Sequence, residues 1–212
     1  MPLASIGRRR CLQIALAFTG TVLGLRQVQA EPGAVAPIRE LCDALLRVMR
    51  AGGSAPFAQR FTELAPVVDR AFNLPAILQV SVGPAWSGLP PDQQAELLKA
   101  FRRYTVASYV NSFDNFNGQR FDIQPDTKSL PNGEQLAQSR IVSASDSHEL
   151  DYVMRHDGGT WKAVDVLADG SISRAAVQRS DFRRLVARGG AQALIDSLDK
   201  KTADLSGGAA LP

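Results

Sequence analysis

The hydrophobic periodicities along this chain predict an α+β fold: helices first, then a curved antiparallel sheet of four to five strands, then helices again. Three observations carry it. Apolar residues recur at helical spacing up to about Phe116, alternate with a two-residue period from about Gln119 to Arg174, and return to helical spacing as far as Leu205. Helices that cover one face of such a sheet can enclose an apolar cavity between the two layers.

The helical part opens at Pro37 to Arg50, where Ile38, Leu41, Cys42, Leu45, Val48 and Met49 form one face and Arg39, Glu40, Asp43 and Arg47 the other. Gly52-Gly53 should stop this helix. Ser54 is placed to cap a second one carrying Phe57, Phe61 and Leu64, with Pro56 in its first turn. Pro66 should then start a separate short piece, Val67 to Phe72, and Asn73 with Pro75 another, Ala76 to Val82. After Gly83-Pro84 and Trp86, Pro90-Pro91 opens the longest helix, to about Asn115. Its apolar and small positions Leu97, Leu98, Phe101, Tyr104, Thr105, Ser108, Tyr109 and Phe113 make a stripe wider than one helix contact needs. Part of that stripe either is buried by packing or faces a ligand cavity.

The strands are predicted at Gln119 to Ile123, Gln138 to Ala144, His148 to Arg155, Thr160 to Leu167 and Ser171 to Arg174. Pro131-Asn132-Gly133, Asp157-Gly158-Gly159 and Asp169-Gly170 are the turns between them. In the third strand Leu150, Tyr152 and Met154 should face inward and Glu149, Asp151 and Arg155 outward. Val177, Phe182, Leu185 and Val186 pattern the next helix up to Gly189-Gly190, and Leu194, Ile195 and Leu198 pattern the last. Residues 206–212 are small and polar enough to predict a disordered tail.

Residues 1–30 read as an export signal. Arg8, Arg9 and Arg10 precede an apolar run from Cys11 to Leu25, and Val28-Gln29-Ala30 places small residues at the cleavage site before Glu31. A Sec signal fits, and Arg8-Arg9 also permits a looser twin-arginine reading. Cleavage removes four arginines and no acid, so Lys+Arg falls from 24 to 20 against 21 Asp+Glu, and the net charge moves from +3 to about −1. The basic character leaves with the signal, and with it the argument for a nucleic-acid partner. About 182 of the 212 residues remain, enough for a single domain over 31–205. Only Cys42 of the two cysteines stays, so an internal disulfide is impossible and the core must hold the fold.

Catalytic chemistry is sparse. His148 and His156 have no third ligand at a convincing spacing, and no serine elbow, phosphate loop or dinucleotide fingerprint occurs. Cys42 sits on an apolar helix face, as a packed thiol does. Asp165, beside Trp161 in an apolar strand, reads as a hydrogen-bonded structural carboxylate. No catalytic residue, metal or cofactor is expected, and binding is favoured over turnover.

Two stretches carry a resemblance. The first is Pro66-Val67-Val68-Asp69-Arg70-Ala71-Phe72 through Gly83-Pro84-Ala85-Trp86 and Gln93 to Tyr109. The second is Trp161-Lys162-Ala163-Val164-Asp165-Val166 to Asp169-Gly170-Ser171-Ile172-Ser173, followed by Gln178-Arg179-Ser180-Asp181-Phe182. Together they resemble the MlaC/Ttg2D family of periplasmic phospholipid-binding proteins. Asp165 to Phe182 with Phe101-Arg102-Arg103-Tyr104-Thr105-Val106 is similar to its hopanoid-associated branch, HpnM. The resemblance runs from about Val35 to Leu205. It implies a periplasmic shuttle whose helices and sheet enclose a lipid-tail cavity, with a hopanoid or phospholipid as cargo. The implied partner is an RND-type or Mla-type membrane transport complex, docked transiently at the inner and outer membranes.

On that reading the cavity walls are the bulky residues where helices and sheet meet. From the helices these are Val68, Phe72, Ile77, Leu78, Trp86, Phe101, Tyr104 and Tyr109, and from the sheet Phe121, Ile123, Tyr152, Trp161, Val164 and Ile172. Each alone also fits ordinary core packing. Arg174 and Arg179 are head-group or docking candidates. A lipid-modifying enzyme on the same fold, or a transporter adaptor that holds no lipid, are the alternatives. The first needs converging polar groups in the cavity, and the second a filled core.

Overall fold

The computed structural model describes residues 33–212, so the expected export segment lies outside the described residues. Helix α1 (Ala36–Ala51) buries Ile38, Leu41, Cys42, Leu45, Val48 and Met49, the face its spacing predicts. A 3-10 turn, Gly52–Ser54, then takes up Ser54, whose hydroxyl donates back to the Ala51 carbonyl. Ser54 therefore caps nothing downstream, and Pro56 occupies the N-cap of α2 (Phe57–Ala71) instead.

Helix α2 passes straight through Pro66, where the sequence predicts a break. A proline inside a helix costs about 3 kcal/mol through its missing N–H and its clash with the preceding turn. The helix survives because Phe61, Leu64, Val67, Val68 and Ala71, on both sides of Pro66, are buried in one core. Asn73 then caps α3 (Leu74–Val82), its side-chain oxygen accepting the Ala76 N–H at 3.1 Å. A 3-10 stretch, Gly83–Gly88, leads to α4 (Pro91–Ser112).

The sheet is an antiparallel meander of five strands in sequence order: β1 (Arg120–Ser129), β2 (Gln135–Val142), β3 (Ser147–Asp157), β4 (Thr160–Ala168) and β5 (Ile172–Ser173). Its inner face carries Ala137, Tyr152, Met154 and Ala163, all 1% exposed or less. The outer face is polar, with Arg140 paired to Glu149 at 2.9 Å. Asp151 lies outward as the alternation requires, yet it is only 4% exposed and accepts a hydrogen bond from Gln138 Nε2 at 3.2 Å. Two irregularities bend the ladder, between Ile123 and Thr127 in β1 and at the Val153/Met154 step against β4.

Helix α5 (Arg174–Ser206) breaks at Gly189-Gly190, where the predicted pair of helices divides. Gly190, at φ 66° and ψ −162°, holds a conformation essentially reserved for glycine. The tail expected to be disordered begins with a capped helix end. Gly207 is left-handed, the Gly208 N–H returns to the Ala203 carbonyl at 2.9 Å, and Leu211 packs against the core.

The helical layer is pinned to the sheet at the end of α2. The Asn73 N–H donates to the Ala163 carbonyl at 2.9 Å, and Lys162 Nζ donates to the Asp69 carbonyl at 2.9 Å. Arg102 of α4 grips the Asp69 carboxylate with two bonds, at 2.8 and 2.7 Å, and this hydrogen bonding raises the guanidinium pKa further. These contacts set the height at which Phe72 stands over the sheet.

A candidate lipid-tail cavity

Where α4, the start of α5 and the inner face of β3 and β4 converge, packing leaves a partly open cavity of about 310 Å³. That lies at the lower end of the roughly 300–1,000 Å³ of small-molecule pockets. Helix α4 supplies one wall through Phe101, Tyr104, Thr105, Ser108 and Ser112, spaced by three and four residues so that they share a face. Phe72, Leu74 and Ile77 close the end beside α2 and α3, and Leu150, Tyr152, Val166 and Ala168 form the sheet wall. Arg174, Ala175 and Gln178 contribute from the first turns of α5.

An aromatic chain stiffens the interior. The Phe72 ring lies 5.6 Å from Tyr109 and 6.2 Å from Tyr152, and Tyr109 stacks on Phe113 at 6.0 Å. Burial pushes both tyrosine phenols above their ordinary range. Cys42 adds to this at Tyr109 while Arg174 opposes it, and Tyr109 and Cys42 add to it at Tyr152. Both phenols therefore stay uncharged at neutral pH.

Several polar side chains of the lining are already engaged. The Thr105 and Ser108 hydroxyls donate to the carbonyls of Phe101 and Tyr104, each at 2.8 Å, so the groups turned to the cavity behave as small apolar ones. The Asp165 carboxylate accepts from the Val166 N–H at 2.8 Å, the Ala175 N–H at 3.1 Å and the Ser173 hydroxyl. Together with Ser173, which caps α5 by accepting the Ala176 N–H at 2.9 Å, it fixes the start of that helix. Asp165 is thus a structural anchor at the cavity edge.

Of the wall residues read from the sequence, the structure brings Phe72, Ile77, Phe101, Tyr104, Tyr109 and Tyr152 to the cavity, with Arg174. It does not bring the others. Val68 and Leu78 are fully enclosed in the core, and Trp86 is half-buried in the 3-10 stretch after α3. Phe121 and Ile123 pack against the core, Phe121 touching Phe113 at 6.0 Å. Trp161 sits edge-on to His156 at 5.2 Å. Val164 is the extra residue of the irregularity that pairs Ala163 with Met154 but Asp165 with Val153; past it the inward positions change from the parity of Ala163 to that of Val166 and Ala168. Ile172 is 51% exposed on a two-residue edge strand, and Arg179 is not part of the lining.

Leu74, Ser112, Val166, Ala168, Ala175 and Gln178 complete the cavity without having been singled out. Ser112 could have been found four residues after Ser108, and Leu150, read as inward-facing but not as wall, two before Tyr152. Among the described residues no group of three or more His, Cys, Asp or Glu side chains could hold a metal ion, and no helix is long and apolar enough to cross a membrane. A second hollow, on the outer face of the sheet, is lined by Asp122, Gln124, Gln138, Ser139, Arg140, Glu149 and Asp151. It is too polar to shelter an apolar chain.

No match is found among curated protein sequences. Among solved structures, the phospholipid-binding protein from Ralstonia solanacearum, determined in complex with a phospholipid, superposes with a TM-score of 0.68. It is 22% identical and the match covers 82% of this chain and 98% of that one, a likeness that establishes the fold. Residues 39–200 match the sequence profile of the family described as MlaC protein, most of the helical layer, the whole sheet and the greater part of α5. The chain therefore belongs to the MlaC family.

Proposed function

We propose that this protein is a periplasmic lipid carrier. It would hold the tail of a hopanoid or phospholipid in the cavity between α4, α5 and the sheet, and shuttle it between RND-type or Mla-type transport complexes of the two membranes. The observation that carries the reading is the partly open, aromatic-lined cavity itself. A methylene moved out of water gains about 0.8 kcal/mol, so a sixteen-carbon tail loose in the periplasm would cost on the order of 13 kcal/mol. A dry wall makes the transfer from bilayer to carrier nearly neutral, which permits release as well as capture. The phospholipid complex of the Ralstonia relative supports the cargo class, and the resemblance of Asp165 to Phe182 to the hopanoid-associated branch supports the narrower one.

The two alternatives fare less well. A lipid-modifying enzyme needs free polar groups converging on the cargo, whereas Asp165, Thr105 and Ser108 are already bonded to the protein. An adaptor needs a filled core, and the core has a cavity. The test is mass spectrometry of an organic extract of protein purified from a hopanoid-making host. Hopanoid or phospholipid at near-stoichiometric yield is expected. Protein free of lipid from such a host would refute the carrier, and phospholipid alone would remove the hopanoid assignment.

A further inference from the structure

Charge is distributed unevenly over this chain. The first half of α5, residues 174–188, carries five arginines (Arg174, Arg179, Arg183, Arg184 and Arg188) and a single acid, Asp181. Without residues 1–30 the chain has 20 Lys+Arg and 21 Asp+Glu, so the rest of it holds 15 basic against 20 acidic residues. A segment of net charge +4 thus stands on a body of −5. Asp181 is spent internally, accepting from Arg184 at 2.7 Å.

The geometry puts this charge beside the cavity. Ala175 and Phe182 turn inward, so the opposite face, with Arg183, Arg184 and Arg188, is exposed. Val177, on the same side, is 57% exposed and Ile172, just ahead of the helix, 51%. Arg174, Ala175 and Gln178 of the same turns line the cavity. Exposed apolar side chains among arginines, flanking an apolar opening, are the chemistry that meets an anionic bilayer: the cations pair with head groups while the apolar tips enter the interface.

We propose that residues 172–188 form a docking surface for anionic lipid bilayers, which brings the cavity opening down onto the membrane while the acidic remainder of the protein is turned away. Attraction by the basic half and repulsion of the acidic body act as one orienting field. This requires only the surface, and holds whether or not the cavity carries cargo.

Purified protein would be sedimented with phosphatidylcholine vesicles prepared with and without phosphatidylglycerol. Binding is expected only to the phosphatidylglycerol vesicles and should fall steeply with added salt. Neutralising one arginine should weaken it about fivefold, so the double variant Arg184→Gln/Arg188→Gln should bind about 25-fold more weakly. Val177→Ser should reduce binding without altering its salt dependence. The extracted lipid should be unchanged in both variants, since none of these residues lines the cavity, and circular dichroism would verify that each is folded. Equal binding to both kinds of vesicle, or undiminished binding by the folded double variant, would overturn the proposal. Absence of binding of the wild-type protein to either kind of vesicle would also overturn it, and would leave the basic face to an acidic protein surface.

Discussion

Asp165 links two elements through one carboxylate, since Val166 belongs to β4 while Ser173 and Ala175 begin α5. Asparagine there keeps the shape but replaces an accepting oxygen with a donor. Hydrogen bonds to a charged acceptor are worth roughly 1.5–3 kcal/mol each, so Asp165→Asn should lower stability by about 2 kcal/mol in urea unfolding. An unchanged midpoint would mean the anchor is idle. Cys42 behaves oppositely, as a group whose burial opposes ionisation. Burial, reinforced by Asp43, pushes its thiol from 9.0 up to about 12. Between those values the unfolded chain has lost the proton that the native one keeps. Stability is therefore intact below pH 9 and declines as pH rises toward 12, by up to about 1.4 kcal/mol per pH unit from this group. Urea midpoints between pH 7 and 10.5 would show the decline, and native Cys42 should resist alkylation at pH 8 until the protein unfolds. Both roles were readable in residue type and neighbourhood. The change of facing within β4 was not: past Ala163 a regular period of two would turn Asp165 inward, whereas the irregularity at Val164 turns Val166 inward, and it leaves no mark in the sequence until the partner strand is known.

At the scale of elements, the helices and strands were legible wherever periodicity alone decides. Alternation in Phe121 and Ile123, and in Leu150, Tyr152 and Met154, marks strands of which the structure extends the second by one to two residues at each end and carries the first on through Pro125 to Ser129. Prolines were less legible, because their local cost competes with burial that only the fold reveals. Pro66 is the instance: its ring obstructs the turn below, yet Phe61, Leu64 and Val68 hold the helix together. If α2 tolerates Pro66 rather than requiring it, Pro66→Ala restores the missing N–H and should stabilise the protein by about 1–2 kcal/mol, part of the helix gain being offset by the freer unfolded chain. A loss of stability would show that Pro66 is needed to seat Asp69 against Arg102. Gly83 shows the converse case of a residue required locally. It sits at φ 76°, and a Cβ there would lie 2.6 Å from the Arg183 guanidinium. Gly83→Ala should therefore destabilise the α3–α5 junction by roughly 1–3 kcal/mol, measured in the same urea assay.

For the molecule as a whole, the question is whether helices and sheet meet in order to pack or to leave room. The core is closed around α1, α2 and the end of α5, with Ile38, Leu45, Phe61 and Leu198 fully buried. Among the described residues it opens where α4 presents small side chains, Thr105, Ser108 and Ser112, to Leu150 and Val166 across the gap. Ordinary packing would place larger residues there, because voids cost stability in proportion to their volume. Filling the gap therefore separates the two purposes. Ser108→Trp projects an indole from the middle of the α4 wall into the cavity. If the space exists for cargo, the variant should fold with a urea midpoint close to that of the wild type, or above it, while lipid in the organic extract falls at least tenfold. If the space is a packing defect, stability should rise and the extract should not change. A variant that unfolds would be replaced by Ser112→Leu, which narrows the same wall with less bulk and should lower lipid recovery in the same direction. Lipid recovered at the wild-type level from either folded variant would place the tail somewhere other than between α4 and the sheet.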